Sequence, residues 1–119
     1  MTTDNLHKEK IFRGIVTLLI LRFLIEHPRH GYSLALMISE KVKRDLPPGT
    51  IYVLLGSLEK RGLIKVLEKK MIRDRKTYTI TEDGMRFLLG HHEPLLIATQ
   101  VMSELISFIE SLKSGYHQT

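Results

Sequence analysis

The chain has 119 residues, which is enough for one compact domain and one additional element. Hydrophobic residues make up 43% of it and no cysteine is present, so disulfides, thiol chemistry and cysteine-based zinc fingers are excluded. Residues 1–10 mix charges without an apolar core, and the apolar run at residues 15–25 is too short to cross a bilayer. We therefore expect a cytoplasmic protein without membrane contact.

The net charge of +5 is concentrated in one segment. Between residues 59 and 81, eight basic residues face three acidic ones, so this segment alone accounts for the whole net charge. From residue 82 onward, five acidic residues face two basic ones. Such a concentration is typical of a surface that binds the phosphates of a nucleic acid, whereas a dispersed charge would indicate only solubility.

Three helices are predicted in the first half of the chain. Residues 12–25 are apolar around most of the helical circumference, which is typical of a buried helix. Residues 31–44 have one apolar face, and a Pro/Gly turn separates them from a third helix at residues 48–61. Gly62 then provides a left-handed end for the third helix. This order predicts a helix-turn-helix.

After Gly62 the pattern changes from helix to strand. Residues 63–69 and 76–81 alternate apolar and polar side chains around a charged tip at residues 70–75, which predicts a two-stranded hairpin, or wing. Thr81 is placed to cap a further helix over residues 82–113, which Pro94 must kink or divide. We expect a mainly α winged helix-turn-helix at residues 1–81 with 1–8 flexible, a C-terminal dimerisation helix at 82–113, and a tail at 114–119.

The third helix and the wing are the candidate DNA-binding elements. One side of the helix is small, polar and basic, and a helix that follows a tight turn and precedes a basic hairpin is placed to enter the major groove. The alternatives are an ordinary solvated helix face and an edge strand protected by lysines. The residues predicted to bind DNA are Thr50, Tyr52, Val53, Ser57, Lys60, Arg73, Arg75 and Lys76.

The C-terminal helix carries a heptad pattern. After Pro94, apolar residues recur at spacings of three, four, three, four and three, which is typical of a coiled-coil seam. On a monomer this stripe would be exposed, and a two-fold dimer would bury it and duplicate the DNA-reading helix. We call these residues the apolar seam, and we predict that they form the dimer interface: Leu95, Ala98, Met102, Leu105, Ile109 and Leu112.

Signals for catalysis or metal binding are weak. His91 and His92 are adjacent, so on a helix their side chains diverge by about 100° and do not easily share a metal. Phosphate-loop, dinucleotide-binding and serine-nucleophile motifs are absent from the sequence. We expect no enzyme activity, no cofactor and no metal.

Several short motifs, taken in order, resemble one family. They are His30-Gly31-Tyr32-Ser33-Leu34, Pro48-Gly49-Thr50-Ile51-Tyr52, Leu58-Glu59-Lys60-Arg61-Gly62-Leu63-Ile64, Arg75-Lys76-Thr77-Tyr78 and Thr81-Glu82-Asp83-Gly84. Between residues 13 and 84 the chain is similar to the PadR family of transcriptional regulators, and its C-terminal part looks like the short subfamily with a single dimerisation helix. Two positions depart from the family pattern: Pro47 replaces a capping residue, and Asp74 places a negative charge in the wing.

The resemblance implies a winged helix that binds double-stranded DNA through the helix containing Thr50 and Tyr52 and through the wing. It also implies a homodimer and a small apolar effector that weakens DNA binding. Candidate residues for an effector pocket are Phe12, Ile15, Leu95 and Met102, which could equally pack against one another. The leading hypothesis is therefore a sequence-specific regulator that represses transcription from a pseudo-palindromic operator. The alternatives are a protein-interaction module and a non-specific architectural DNA-binding protein.

Overall fold

The computed structural model of the chain describes residues 3–69 and 76–118. The elements are, in chain order, α1 (Thr3–Glu26), β1 (Arg29–His30), α2 (Gly31–Val42), α3 (Pro48–Lys60), β2 (Ile64–Lys69), β3 (Lys76–Ile80), α4 (Glu82–Leu89) and α5 (His92–Gln118). They form two compact units, Met1–Leu88 and Leu89–Thr119. The predicted fold class, a mainly α winged helix-turn-helix with a long C-terminal helical part, is confirmed.

The core of the first unit lies where α1, α2 and α3 meet the sheet. Each helix contributes apolar side chains that are almost completely buried, such as Ile20 of α1, Ile38 of α2 and Leu55 of α3. Phe87 and Leu88 of α4 are half-buried against this core. The full set of buried residues is Val16, Ile20, Leu21, Phe23, Leu24, Leu34, Ala35, Ile38, Ile51, Leu54, Leu55, Leu58, Leu63, Ile64 and Tyr78.

Side-chain and backbone hydrogen bonds fix the turn between α2 and α3. Lys43 adopts the left-handed conformation with φ of 56°, which ends α2 and redirects the chain. The backbone N–H of Leu46 then donates to Ser39 Oγ at 2.9 Å. The turn is therefore tied back to the helix that precedes it, and α3 starts at a defined place.

Gly62 ends α3 as the sequence predicts. Its φ is +75°, a conformation that glycine adopts without the steric cost of a Cβ. The N–H of Gly62 donates to Glu59 O at 3.0 Å, and the N–H of Leu63 donates to Leu58 O at 3.0 Å. These two bonds form a Schellman motif, which satisfies carbonyls at the helix end and leads directly into β2.

The sheet has three strands, in the order β1-β3-β2, and not only the two strands of the predicted wing. In the additional strand, Arg29 pairs with Tyr78 and His30 pairs with Thr77. With only two residues, β1 is too short to produce a pattern of alternation, so no sequence pattern predicts it. The pairing of β2 with β3 is interrupted by an irregularity between Val66 and Glu68.

The C-terminal helical part is divided close to Pro94. Thr81 caps α4 as predicted, because its Oγ1 accepts the N–H of Gly84 at 3.1 Å while donating to Gly62 O at 2.7 Å. The break falls at residues 90 and 91, which makes Pro94 the third residue of α5, where a helix does not need an N–H donor.

Two helix ends differ from the prediction. α5 continues to Gln118 rather than ending near residue 113, and α1 begins at Thr3 rather than near residue 12. Both extensions consist mainly of polar residues, and such residues continue a helix without adding to its apolar periodicity. The periodicity therefore marked the apolar part of each helix and not its full length.

Gly84 provides a test of how α4 is held against the sheet. A Cβ at this position would overlap the backbone oxygen of Leu63 and lie 2.6 Å from Ile80 Cγ1. We expect Gly84→Ala to lower the free energy of unfolding by about 1–3 kcal/mol, measured by urea denaturation.

The matched control is Gly14→Ala, since a Cβ at Gly14 meets nothing within 4 Å. This substitution in an exposed helix should raise the free energy of unfolding by roughly 1 kcal/mol or less. If Gly84→Ala were as stable as the original chain, the proposed contact with Leu63 would be wrong.

Candidate nucleic-acid interface

The helix α3 is divided into a buried face and an exposed face. Ile51, Leu54, Leu55 and Leu58 are buried in the core and hold the helix in place. The opposite face is open to solvent, and it contains all five of the α3 residues predicted to contact DNA: Thr50, Tyr52, Val53, Ser57 and Lys60. Gly49 and Gly56 are also exposed on α3, and a Cβ at either would meet nothing within 4 Å. This combination leaves a low, accessible surface that can approach a nucleic-acid backbone closely.

Tyr52 also contacts the start of α2, which the sequence did not indicate. Its side chain is 44% exposed, and one edge of its ring lies against Gly31, the first residue of α2. A Cβ at Gly31 would lie 2.6 Å from Tyr52 Cε1 and 2.8 Å from Cζ. The ring of Tyr52 therefore joins α3 to the start of α2, while its exposed part remains available to a ligand.

The start of α3 has no side-chain cap, which follows from Pro47 at the N-cap position. Pro47 is extended, with φ of −61° and ψ of 144°, and its carbonyl accepts the N–H of Thr50 at 3.0 Å. Pro48 occupies the first turn, where a missing N–H costs little. The two prolines thus set the direction of α3 by their restricted backbone rather than by a capping hydroxyl.

The described part of the wing presents Lys76 to solvent at the start of β3. Lys69 pairs with Lys76 across the hairpin, so both backbones lie at the same level of the wing. Arg73 and Arg75, which were also predicted to bind DNA, lie outside the described residues. Neither Lys60 nor Lys76 forms an ion pair with any residue that the structure describes. Their charges are not neutralised by those residues.

Tyr78 lies in the core between β3 and α3. It is 4% exposed, and burial raises the pKa of its hydroxyl, with smaller contributions in the same direction from Glu59 and Tyr52. All three causes favour the neutral phenol. Tyr52 and Glu59 both belong to α3.

In the second unit, α5 exposes most of its apolar side chains. Of the apolar seam, Ala98 is half-buried and the other members are 44–50% exposed. Ile97, Val101 and Phe108 broaden the apolar face, and the polar side is formed by Thr99, Gln100, Ser103, Glu104, Ser107, Glu110 and Ser111. By length and composition alone, the segment Glu82–Gly115 is also long and apolar enough to cross a membrane.

The candidate effector residues are distributed over α1 and α5. Phe12 is half-buried, with the guanidinium of Arg44 4.5 Å from the centre of its ring, and Ile15 is exposed. Leu95 and Met102 are exposed members of the apolar seam. A surface groove between α1 and α2 contains none of these four residues, being lined by Arg22, Phe23, Glu26, Met37, Glu40 and Lys41.

Among the described residues, no group of three or more His, Cys, Asp or Glu side chains is placed to hold a metal ion. The residues that sequence reasoning missed are His30 and Gly31. His30 Nδ1 lies 3.2 Å from the carbonyl oxygen of Lys76, and Gly31 packs against the ring of Tyr52; neither contact follows from a local sequence pattern.

Comparison with known proteins points to one family. Residues 20–89 match the family described as transcriptional regulator PadR-like. A solved structure from Thermoplasma acidophilum, described as a transcriptional regulator, is 33% identical to the chain, with a TM-score of 0.74 over 83% of this chain and 95% of the other. No match is found among the curated proteins.

Two further solved structures have the same fold. A transcriptional regulator from Clostridium thermocellum is 26% identical, with a TM-score of 0.70 over 87% of this chain and 96% of the other. A PadR family transcription regulator from Clostridium difficile R20291 is 24% identical, with a TM-score of 0.60 over 76% of this chain and 97% of the other. The similarity thus covers almost the full length of each of these proteins.

Proposed function

Since the chain belongs to the PadR-like family of transcriptional regulators, we propose that it represses transcription as a homodimer bound to a specific, pseudo-palindromic operator in the cytoplasm. Membership of the family makes it a DNA-binding transcription regulator. The proposal of a specific operator rests on the exposed face of α3. This helix follows a tight turn, and four buried side chains hold it against the core. A helix in this position is the one that winged-helix proteins insert into the major groove.

The proposed DNA-binding residues divide into two groups. Lys60, Lys76, Arg73 and Arg75 would neutralise phosphates and determine how strongly binding depends on salt. Thr50, Tyr52, Val53 and Ser57 would approach the edges of the bases, where hydroxyl and methyl groups can distinguish one base pair from another. Repression requires only that the operator be occupied, so these residues and a dimer interface are sufficient for it.

Selection of bound sequences from a random DNA pool should yield a pseudo-palindrome with half-sites about one helical turn apart.

A substitution at Lys60 tests the proposed phosphate contacts. On that duplex, Lys60→Gln should reduce the slope of log Kd against log salt concentration by about 1, since one phosphate contact is lost. Lys113→Gln is the control, because it removes an exposed positive charge on α5, outside the proposed interface.

Three outcomes would contradict this part of the proposal. Binding of all sequences alike would indicate an architectural DNA-binding protein. Enrichment of a protein partner without any enriched DNA sequence would indicate a protein-interaction module. Equal salt slopes for Lys60→Gln and Lys113→Gln would remove Lys60 from the interface.

The homodimer is proposed from the pattern and exposure of the apolar seam. The seam recurs at heptad spacing, and five of its six side chains are 44–50% exposed, so pairing with a second copy would remove a continuous apolar stripe from water. Glu104 and Glu110 lie on the polar side of the same helix, and carboxylates are costly inside a bilayer. We therefore favour a partner helix over a membrane as the cover for this face.

Leu105→Glu tests the dimer, because it would place a carboxylate in the middle of the apolar seam. We expect the variant to sediment as a monomer and to bind the selected duplex at least about tenfold more weakly, since burying an unpaired charge is strongly unfavourable. Ser107→Glu adds the same charge on the polar side and should remain dimeric. If both variants sedimented like the original chain, the apolar seam would not be the dimer interface.

The proposal includes release of the operator by a small apolar effector. Ile15, Leu95 and Met102 are exposed and Phe12 is half-buried, so these side chains offer apolar contact surface. A panel of apolar and phenolic compounds should contain one that raises Tm and weakens binding of the selected duplex, because a ligand that binds the folded state stabilises it. If no compound shifted Tm, the chain would be a repressor without an effector of this class.

A further inference from the structure

We propose that His30 and Gly31 form a junction that sets the position of the wing relative to α3, and that they determine DNA affinity without contacting DNA. The proposal rests on the proposed DNA-binding function. It gives a role to two residues that belong neither to the exposed face of α3 nor to the basic tip of the wing. Both lie where β1 passes directly into α2.

His30 contacts the wing. Its Nδ1 lies 3.2 Å from the carbonyl oxygen of Lys76 and 3.5 Å from Thr77 Oγ1, at the start of β3. A carbonyl oxygen only accepts, so a hydrogen bond to Lys76 uses the form of His30 in which Nδ1 carries a hydrogen. The backbones of His30 and Thr77 are paired across the sheet at the same place. The end of β3 that adjoins the wing tip is therefore attached to residue 30 by both backbone and side chain.

Gly31 contacts α3. It is buried, and a Cβ at this position would lie 2.6 Å from Tyr52 Cε1 and 3.1 Å from Leu55 Cδ1. Because it lacks a side chain, the first turn of α2 can approach α3 this closely. Adjacent residues thus contact the wing on one side and α3 on the other, which leaves little freedom for the two elements to move apart.

β1 is itself held on its other side. Arg29 Nε donates to the carbonyl oxygen of Phe23 at 3.1 Å, near the end of α1, and its guanidinium pairs with Glu26 at 2.6 Å. Arg29 also pairs with Tyr78 in the sheet. These bonds fix the junction to the core, so it does not move together with the wing. A wing that lost its bond to His30 would reach the DNA at a less favourable distance from α3.

The test compares His30→Leu with His30→Asn on the selected duplex. Asparagine keeps an N–H donor close to the position of Nδ1, whereas leucine removes it. We expect His30→Leu to weaken binding roughly threefold to tenfold, the effect of one net hydrogen bond, and His30→Asn to restore most of the affinity. The same substitutions are then made in a wing-neutralised variant, in which Arg73, Arg75 and Lys76 are replaced by Gln.

In the wing-neutralised variant, His30→Leu should have little further effect, because the wing contacts that His30 positions are already lost. Full additivity would mean that His30 contacts DNA itself and would overturn the proposal. Equal affinities of His30→Leu and the original chain, or failure of His30→Asn to restore binding, would overturn it as well. If the original chain selected no sequence at all, the proposed function would fail instead, which is a different result.

The Gly31 side of the junction is tested by stability alone, so it does not depend on DNA binding. Gly31→Ala should lower the midpoint of urea denaturation, and the loss should shrink to about half or less when Tyr52 is replaced by Ala, because the clashing ring is gone. Equal losses in the two backgrounds would mean that Gly31 and Tyr52 are not coupled. This arm also applies if His30→Leu does not fold.

Discussion

The packing of one face of α3 against the core determines how the neighbouring elements of the first unit are arranged. Ile51, Leu54, Leu55 and Leu58 are buried at helical spacing, so the side of α3 opposite to them must face solvent. The burial of these four side chains is therefore enough to expose Thr50, Val53 and Ser57. The same apolar contacts that stabilise the fold thereby hold in place the surface that we propose for DNA binding, and a surface held in place limits the entropy that binding must overcome.

The ends of α3 extend this constraint to its neighbours. At the start, Pro47 and Pro48 restrict the backbone after a turn that Ser39 holds. At the end, Gly62 allows the chain to turn directly into β2, and Thr81, which follows the neighbouring strand β3, donates to the Gly62 carbonyl. The wing is therefore attached to the end of α3, while β1 attaches it to the start of α2. Two separate connections thus hold the wing beside α3.

Much of this arrangement is visible in the sequence because it is produced by local rules. The buried face of α3, the left-handed Gly62, the Thr81 cap and the effect of Pro94 each follow from the residue type and its spacing. β1 could not be predicted, since two residues have no periodicity. The contacts of His30 with Lys76 and of Gly31 with Tyr52 join positions that are distant in sequence, and no local pattern encodes them. These contacts form only where the folded elements pack against one another.

In the proposed complex, two copies of α3, each with its wing, read one operator. Hydroxyl-radical footprinting of the selected duplex tests this most directly. We expect two protected segments related by two-fold symmetry, with the centres of the half-sites roughly 34 Å apart, which is one helical turn. A single protected segment, or uniform protection along the duplex, would contradict it.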